Sequence, residues 1–573
     1  MVNITINGEK LSVNEGTTIL EAAKSVDIAI PTLCYLKDIN EIGACRVCSV
    51  EIEGMNDLVA ACNTACEDGM VIHTNSPKAR TARRTNVALI LADHDCKCAT
   101  CARGGNCSLS SLAIDLGVLD SRYVSTTAAP IWDSDAPIVR NPAKCIKCMR
   151  CIQICDKVQG MNVWDLTGTG ARTTVGVAGN VKIEEAKCAY CGQCITHCPV
   201  GALREKNSLK EIYDALADPD TITMVQVAPA VRAAWSEELG MAREDGSMGK
   251  MVAALRKIGF DYIYDTVYSA DLTIMEEGSE FIERFTHKED YSWPMFTSCC
   301  PGWVRFAKLE YPQYINNLST AKSPQQMFGA MAKTIMAEKA GVDPKKVFSV
   351  SIMPCTAKKY ECDVDQVNDA GAGQDVDLVL TTRELDRLIR ADRIDMANIE
   401  EEPFDDIFGA GTGAGVIFGA TGGVMEAALR SAYFLITGEN PPADVFKDVR
   451  GLDGWKEATF EVQGMPVRVA VASGLGNTRK LMEAIDKGEA TYDFVEIMAC
   501  PGGCAGGGGQ PIHDGQELAG IRGQHLYGLD KVNELRFSHE NPAVLLTYDD
   551  FLEKPNSHKA HELLHTELAS WDL

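Results

Sequence analysis

Two runs of four cysteines share one spacing. Cys145, Cys148, Cys151 and Cys155 read C-x2-C-x2-C-x3-C; Cys188, Cys191, Cys194 and Cys198 repeat it, with Pro199 following. Eight buried cysteines serving only as small hydrophobes would not need such a spacing, so the fold must bring these thiols together. The 573 residues contain 23 cysteines, most of them in tight clusters. In a long chain without an export signal, clustering of this kind points to metal or redox chemistry rather than disulfides. The start, MVNITINGEKLSV, shows neither a basic nor an apolar signal region. No run of about 18 apolar residues appears, so a cytoplasmic protein with no membrane span is expected. The formal net charge of −25 argues against nucleic-acid binding, which needs a basic footprint.

The repeat matches the pattern of bacterial two-cluster ferredoxins, in which the fourth cysteine of each run crosses to the other cluster. Cys145, Cys148, Cys151 and Cys198 are therefore assigned to one 4Fe–4S cubane. Cys188, Cys191, Cys194 and Cys155 take the other. Upstream, Cys34, Cys45, Cys48 and Cys62 are spaced C-x10-C-x2-C-x13-C, as in plant-type ferredoxins but with a longer first gap. They can close a 2Fe–2S cluster. Cys66, one helical turn on, rivals Cys62 for the fourth position, and zinc is the alternative metal. His94, Cys98, Cys101 and Cys107, spaced H-x3-C-x2-C-x5-C, can hold a third accessory 4Fe–4S cluster or zinc. Cys96 lies between these ligands and is read as pointing away.

The expected fold is multidomain, α+β and α/β. Residues 1–78 form a β-grasp, plant-type ferredoxin domain: VNITINGEKLSV alternates around Asn7-Gly8, a hairpin signal, and Thr18 to Glu21 reads as a capping box. Residues 79–125 are a small helical His/Cys domain, and residues 126–208 the two-cluster domain. Residues 209–573 form a large α/β domain of two lobes. There, strand-like TMVQVAPAV, VFSVSIMP, DLVLTT and VRVAVASG alternate with helical MGKMVAALRKIGF and SPQQMFGAMAKTIMAEKA, which predicts largely parallel sheets.

Six further cysteines lie in the large domain. Cys299 and Cys300 sit in TSCCPGW, Cys355 and Cys362 in MPCTAKKYEC, Cys500 and Cys504 in MACPGGCAGGGGQP. Adjacent side chains on extended backbone point to opposite faces, so Cys299 and Cys300 are expected to look into different environments. TSCCPGW, MPCTAKKYE and EIMACPGGCAGGGGQP resemble the three signature motifs of the iron–iron (FeFe) hydrogenases, and the order of accessory domains is similar to that of the large, multi-cluster members. The resemblance implies an H-cluster, a 4Fe–4S cubane joined through one cysteine to a di-iron unit with CO, cyanide and azadithiolate ligands. It also implies the reversible reaction of two protons and two electrons to dihydrogen. Cys300, Cys355, Cys500 and Cys504 match the cubane ligands, with Cys504 bridging. Ala228, Pro229, Ser323, Gln325, Met353, Phe418, Gly419 and Met498 match pocket positions, and Lys358 a donor to cyanide. The glycines of Gly409 to Ala414 fit a dinucleotide fingerprint only loosely, and are read as part of the same pocket.

Such a site must move protons as well as electrons. In TIMEEGSEFIERF, a helix places Glu277, Glu280 and Arg284 along one side, at the edge of an apolar stripe of Ile274, Phe281 and Phe285. Glu276 and Glu283 fall on the far side. Taken alone this is a solvated helix edge. The family resemblance makes it a proton relay, running Cys299, Glu277, Ser319, Glu280, Arg284.

The expected electron partner is a ferredoxin or another carrier protein. The alternative is a hydrogen-activating subunit in an NAD(P)-linked or electron-bifurcating complex, any flavin or nicotinamide belonging to partner subunits. Dedicated maturation proteins would insert the di-iron unit. A non-enzymatic assembly or scaffold relative is a further rival; retention of Cys299 between intact motifs speaks against it. A respiratory protein bearing similar clusters would lack the three motifs, and a sensory hydrogenase is expected to carry a signalling domain after them.

Overall fold

A computed structural model describes residues 1–120, 123–124, 129–405, 408–409 and 411–571. The domain boundary expected at 125–126 lies outside the described residues. The chain divides into two compact units. The first comprises Met1–Val158, Asn162–Ala186 and His197–Arg204; the second comprises Gln159–Met161, Lys187–Thr196 and Glu205–Leu573. Ahead of the division expected at residue 208, residues 159–161, the loop carrying Cys188, Cys191 and Cys194, and residues 205–208 already belong to the second unit.

The first unit opens on the predicted hairpin. Val2–Ile6 pairs antiparallel with Glu9–Val13. Asn7 and Gly8 both take positive φ, 52° and 92°, the geometry a two-residue loop requires. Three more strands complete a mixed sheet, with Val71–His73 parallel to the first strand and Ser49–Ile52 beyond it. Ile4, Ile6, Ile19, Val50 and Ile72 pack beneath it with Cys48, Cys62 and Cys66. The helix Ile19–Lys24 starts at Thr18, whose hydroxyl accepts from the Glu21 N–H at 3.2 Å. Helices Pro77–Ala92 and Ser108–Asp115 follow.

The second unit holds two four-stranded sheets. In one, Tyr262–Asp265, Ile222–Val227, Val347–Met353 and Leu378–Thr381 are all parallel. Val225, Val227, Ile263, Val350, Ile352 and Leu380 are buried on one face, while Met224 and Tyr264 meet Phe328 and Met331 on the other. Burial on both faces explains why these strands read as continuous apolar runs. In the other, Met295–Phe296, Phe494–Met498 and Met465–Ser473 are parallel, and Trp455–Val462 adds an antiparallel edge. The predicted parallel α/β layers are present.

The helix Thr266–Thr286 departs from the sequence reading. It is buried along most of its length, including Glu276 and Glu277 at 0 % exposure and Glu280 at 8 %. Glu276, expected on the far side, is enclosed because chain from beyond residue 537 covers that face. Tyr548 and His565 reach its carboxylate. Glu283 is exposed, as expected.

Candidate active site

Four parallel strands end at one pocket. Ile222–Val227 runs into Ala228 and Pro229, and Val347–Met353 into Pro354 and Cys355. Met295–Phe296 leads to Cys299 and Cys300, and Phe494–Met498 to Cys500 and Cys504. Open α/β sheets bind ligands at such carboxyl ends. Cys300 caps the helix Pro301–Glu310, whose first residue is a proline with no N–H to satisfy. The pocket holds about 70 Å³ of cavity. Cys299, Cys300, Cys355, Cys504, Lys358 and Gln325 line it, with an apolar wall that includes Ala228, Pro229, Met353, Phe418, Gly419 and Met498.

The thiols crowd one another. Cys500 is buried beside Cys355, Cys300 and Cys504, and burial together with these neighbours pushes its thiol well up. Burial raises Cys355 to about 12, with Cys300 adding to it, and Cys504 rises for the same reasons. Thiols raised in this way do not ionise together unless a cation takes their charge. This is the donor set of a thiolate-bound iron cluster, and the apolar wall suits uncharged diatomic ligands. The residues present therefore fit an H-cluster.

Cys299 and Cys300 both line this pocket, which corrects the expectation of separate environments, but they meet different groups. The Cys300 Sγ accepts from the Ala499 N–H at 3.5 Å. Cys299 faces Glu277 and Lys358; burial, then Glu277, pushes its thiol well up. The Lys358 ammonium donates to the Cys299 carbonyl at 3.1 Å and to Glu361 at 2.8 Å. Burial works to lower the Lys358 ammonium, but Glu361 outweighs it and the net direction is up. Ser323, expected among the pocket residues, stands behind them. It caps the helix Pro324–Met331 and donates to Glu361 at 2.9 Å. Gln325 donates to the same carboxylate at 3.2 Å.

Glu277, Glu280 and Arg284 share one side of the helix, buried and not at a solvated edge. Burial, then the Glu280 charge, raises the Glu277 carboxyl to about 8; Ser319 and the Ser298 backbone offset this only in part. Neither of these makes a well-formed hydrogen bond to it. Ser319 donates to Glu280 at 2.6 Å, and Arg284 pairs with Glu280 at 2.5 Å. Arg284 also donates to the Leu318 carbonyl at 3.1 Å. The glycine segment expected in the pocket lies elsewhere: a Cβ on Gly411 or Gly415 would strike Val267, and one on Gly413 would strike Asp530.

A second thiol loop reaches Cys500. The Cys500 Sγ lies 3.7 Å from the Cys191 carbonyl, and Gln159 donates to the Cys191 Sγ at 3.4 Å. A Cβ on Gly508 would stand 2.3 Å from that same carbonyl, so this approach requires glycine. Arg305, buried between Tyr190 and Tyr360, donates to the Cys188 carbonyl at 2.6 Å.

In the first unit Cys34 is hydrogen-bonded to Cys45, and Cys48 to Cys62. The Cys34 bond lowers Cys45 to about 6. Burial alone raises the Cys66 thiol, with no push from these four. Cys145, Cys148, Cys151 and Cys198 line one small cavity of about 20 Å³. His94 keeps a buried ring nitrogen without a protein partner. Cys96 is exposed but lies near Cys98 and Cys107.

Sequence reasoning missed Glu361, Gln159 and Arg305. Glu361 had a local signal, lying three residues after Lys358 on a helix; the other two had none.

Fold and site together define an iron–sulfur oxidoreductase with its reaction centre at the strand ends of the second unit. The family models sharpen this. Residues 221–508 match the C-terminal domain of the iron-only hydrogenase large subunit, and residues 516–570 the iron hydrogenase small subunit. Residues 1–77 match a 2Fe–2S cluster-binding domain, 83–122 an iron–sulfur region of NADH-ubiquinone oxidoreductase G, and 144–202 a 4Fe–4S dicluster domain. The NADP-reducing hydrogenase subunit HndD of Solidesulfovibrio fructosivorans is 48% identical over 99% of this chain and 98% of its own. Iron hydrogenase 1 of Clostridium pasteurianum is 40% identical over 99% of both. A solved apo FeFe-hydrogenase HydA1 from Chlamydomonas reinhardtii is 44% identical with a TM-score of 0.56, covering 63% of this chain and 98% of that one. The chain belongs to the FeFe-hydrogenase family, and is a hydrogenase with iron–sulfur accessory domains.

Proposed function

We propose that this hydrogenase interconverts two protons and two electrons with dihydrogen at the pocket between Cys299 and Cys504, and exchanges electrons with a ferredoxin through accessory clusters. The observation that carries this is the convergence of Cys300, Cys355 and Cys504 with Lys358 and Cys299 on one apolar pocket, with Cys500 buried beside these thiols. When bound, the H-cluster supplies the redox chemistry at hydrogen. The chain's own residues do the rest. The four cysteines would hold the cubane, with Cys504 bridging. Lys358, anchored by Glu361, would donate to a cyanide ligand. The pocket's apolar residues exclude water.

Protons would travel from Cys299 through Glu277, Ser319 and Glu280 to Arg284. Raised values keep Cys299 and Glu277 in their neutral, proton-bearing forms at neutral pH. A neutral acid in the chain can pass one proton forward as it receives another.

We assign one 2Fe–2S cluster to Cys34, Cys45, Cys48 and Cys62 in a β-grasp domain over residues 1–78. One 4Fe–4S cluster goes to His94, Cys98, Cys101 and Cys107 in residues 79–125. Two more go to the crossed sets within 126–208: Cys145, Cys148, Cys151 and Cys198, then Cys188, Cys191, Cys194 and Cys155. The H-cluster occupies 209–573. Maturation proteins would install its di-iron unit, and the cytoplasm is the expected compartment. Among the described residues no helix is long and apolar enough to cross a membrane.

A second reading of the context rests on one observation, the end-to-end similarity to an NADP-reducing hydrogenase subunit. There, flavin- or NAD(P)-binding partner subunits replace ferredoxin as the electron partner. Copurification with such subunits favours it; isolation as a single active chain favours ferredoxin.

Replacing Cys299 by Ser tests the proton assignment. Iron content should stay intact while turnover falls about 100-fold or more; full activity would remove the relay from the account.

A further inference from the structure

Glu280 has a third neighbour besides Ser319 and Arg284. Thr320 donates its backbone N–H to both carboxylate oxygens, at 3.2 and 3.1 Å, and its hydroxyl lies 3.3 Å from Oε1. The same hydroxyl is 2.8 Å from Nδ1 of His565, whose Nε2 is 3.0 Å from Glu276. Glu276 is fully buried and also accepts from the Tyr548 hydroxyl at 2.5 Å and the Asn556 N–H at 2.8 Å. Glu276 accepts from both of these donors, and with Nε2 of His565 as its third donor the Nδ1 is free to take a proton from Thr320. Beyond His565 the ring of exposed His561 stands 4.3 Å away, centroid to centroid. Glu276, Glu280 and Glu283 all face this histidine pair. Both histidines belong to the segment that matches the small-subunit family.

We propose that Thr320, His565 and Glu276 form a second limb of the proton relay, leaving it at Glu280 and reaching the surface at His561. The inference rests on the relay through Cys299 and Glu277 proposed above. In hydrogen oxidation, protonated Glu280 gives its proton to the Thr320 oxygen as the Thr320 hydroxyl proton passes to Nδ1. Glu280 is left a carboxylate and His565 an imidazolium, balanced by Glu276. Rotation of the ring then carries the proton to His561 and solvent. Hydrogen production runs the same steps in reverse.

The test reads proton access directly. On transfer into deuterium oxide, the carboxyl stretch of protonated Glu277 shifts as its proton exchanges; its loss in Glu277→Gln assigns the band. Arg284→Leu closes the first limb, and exchange should persist, slowed less than about tenfold. Adding Thr320→Val should slow both exchange and turnover about tenfold further, and Thr320→Ser in its place should restore them. Should Arg284→Leu lose iron or its CO and cyanide infrared bands, Thr320→Val alone is measured; it leaves the Arg284–Glu280 pair intact and should slow exchange about twofold as one of two routes closes. Equal rates with and without Thr320→Val, in either background, or loss of exchange in Arg284→Leu alone, would overturn the second limb. Unimpaired turnover in Cys299→Ser would instead overturn the relay from which it branches.

Discussion

Cys191 and Cys500 lie 309 positions apart, yet the Cys500 Sγ stands 3.7 Å from the Cys191 carbonyl. One belongs to the ferredoxin repeat and the other to the third hydrogenase motif. On the cluster assignments proposed above, their contact would give electrons a direct step from an accessory cluster to the cubane.

Gly508 is what permits that approach, so Gly508→Ala should push the two loops apart. Overpacking of this kind costs roughly 1–3 kcal/mol. The melting temperature should fall, and re-reduction of the H-cluster from pre-reduced accessory clusters should slow, followed by infrared spectroscopy. An unchanged rate would mean that electrons enter elsewhere.

Glu277 predicts a pH signature. Its carboxyl sits near 8 in the folded chain and near 4.3 in the unfolded one, raised by burial and then by Glu280. The folded state holds this proton between those values and the unfolded state does not. Its stabilising contribution is full below about pH 4 and is lost as pH rises through about 8, by up to about 1.4 kcal/mol per pH unit. Glu277→Gln mimics the neutral acid and removes this slope. Its melting temperature should gain on the wild type between about pH 5 and pH 8, while turnover falls about 100-fold. A constant offset across that range would contradict the assignment.

Lys358→Leu removes the cation that neutralises buried Glu361 and the donor that holds the Cys299 carbonyl. Breaking a buried pair on one side costs roughly 3 kcal/mol, here softened by Ser323 and Gln325. A lower melting temperature and shifted or missing cyanide bands are expected. Unchanged cyanide bands would remove Lys358 from the ligand sphere.

The 2Fe–2S site separates two neighbouring cysteines. Cys62 and Cys48 act directly on one another, whereas Cys66 feels burial alone. Cys66→Ser should leave the paramagnetic signal of the reduced 2Fe–2S cluster unchanged, and Cys62→Ser should alter or abolish it. The reverse pattern would exchange their roles.

These residues differ in how legible they were before the fold was known. Thiol sets spaced two or three residues apart are readable because local spacing alone brings them together. The hairpin at Asn7-Gly8 and the parallel strands follow from equally local signals, positive φ and apolar runs. Glu276 was misjudged because helical periodicity reports one apolar stripe, whereas this helix is covered again by chain more than 250 residues later. Thr320 and His565 carry no signal for the same reason; their meaning arises from one long-range contact. Ser323 was placed one layer too far forward, since a motif match does not distinguish a residue that lines a pocket from one that holds a lining residue.

Infrared spectroscopy of anaerobically matured protein, with hydrogen turnover measured on the same sample, tests the central claim most directly. The account predicts CO and cyanide stretching bands together with hydrogen production from a reduced carrier. Full iron loading with neither those bands nor turnover would contradict it.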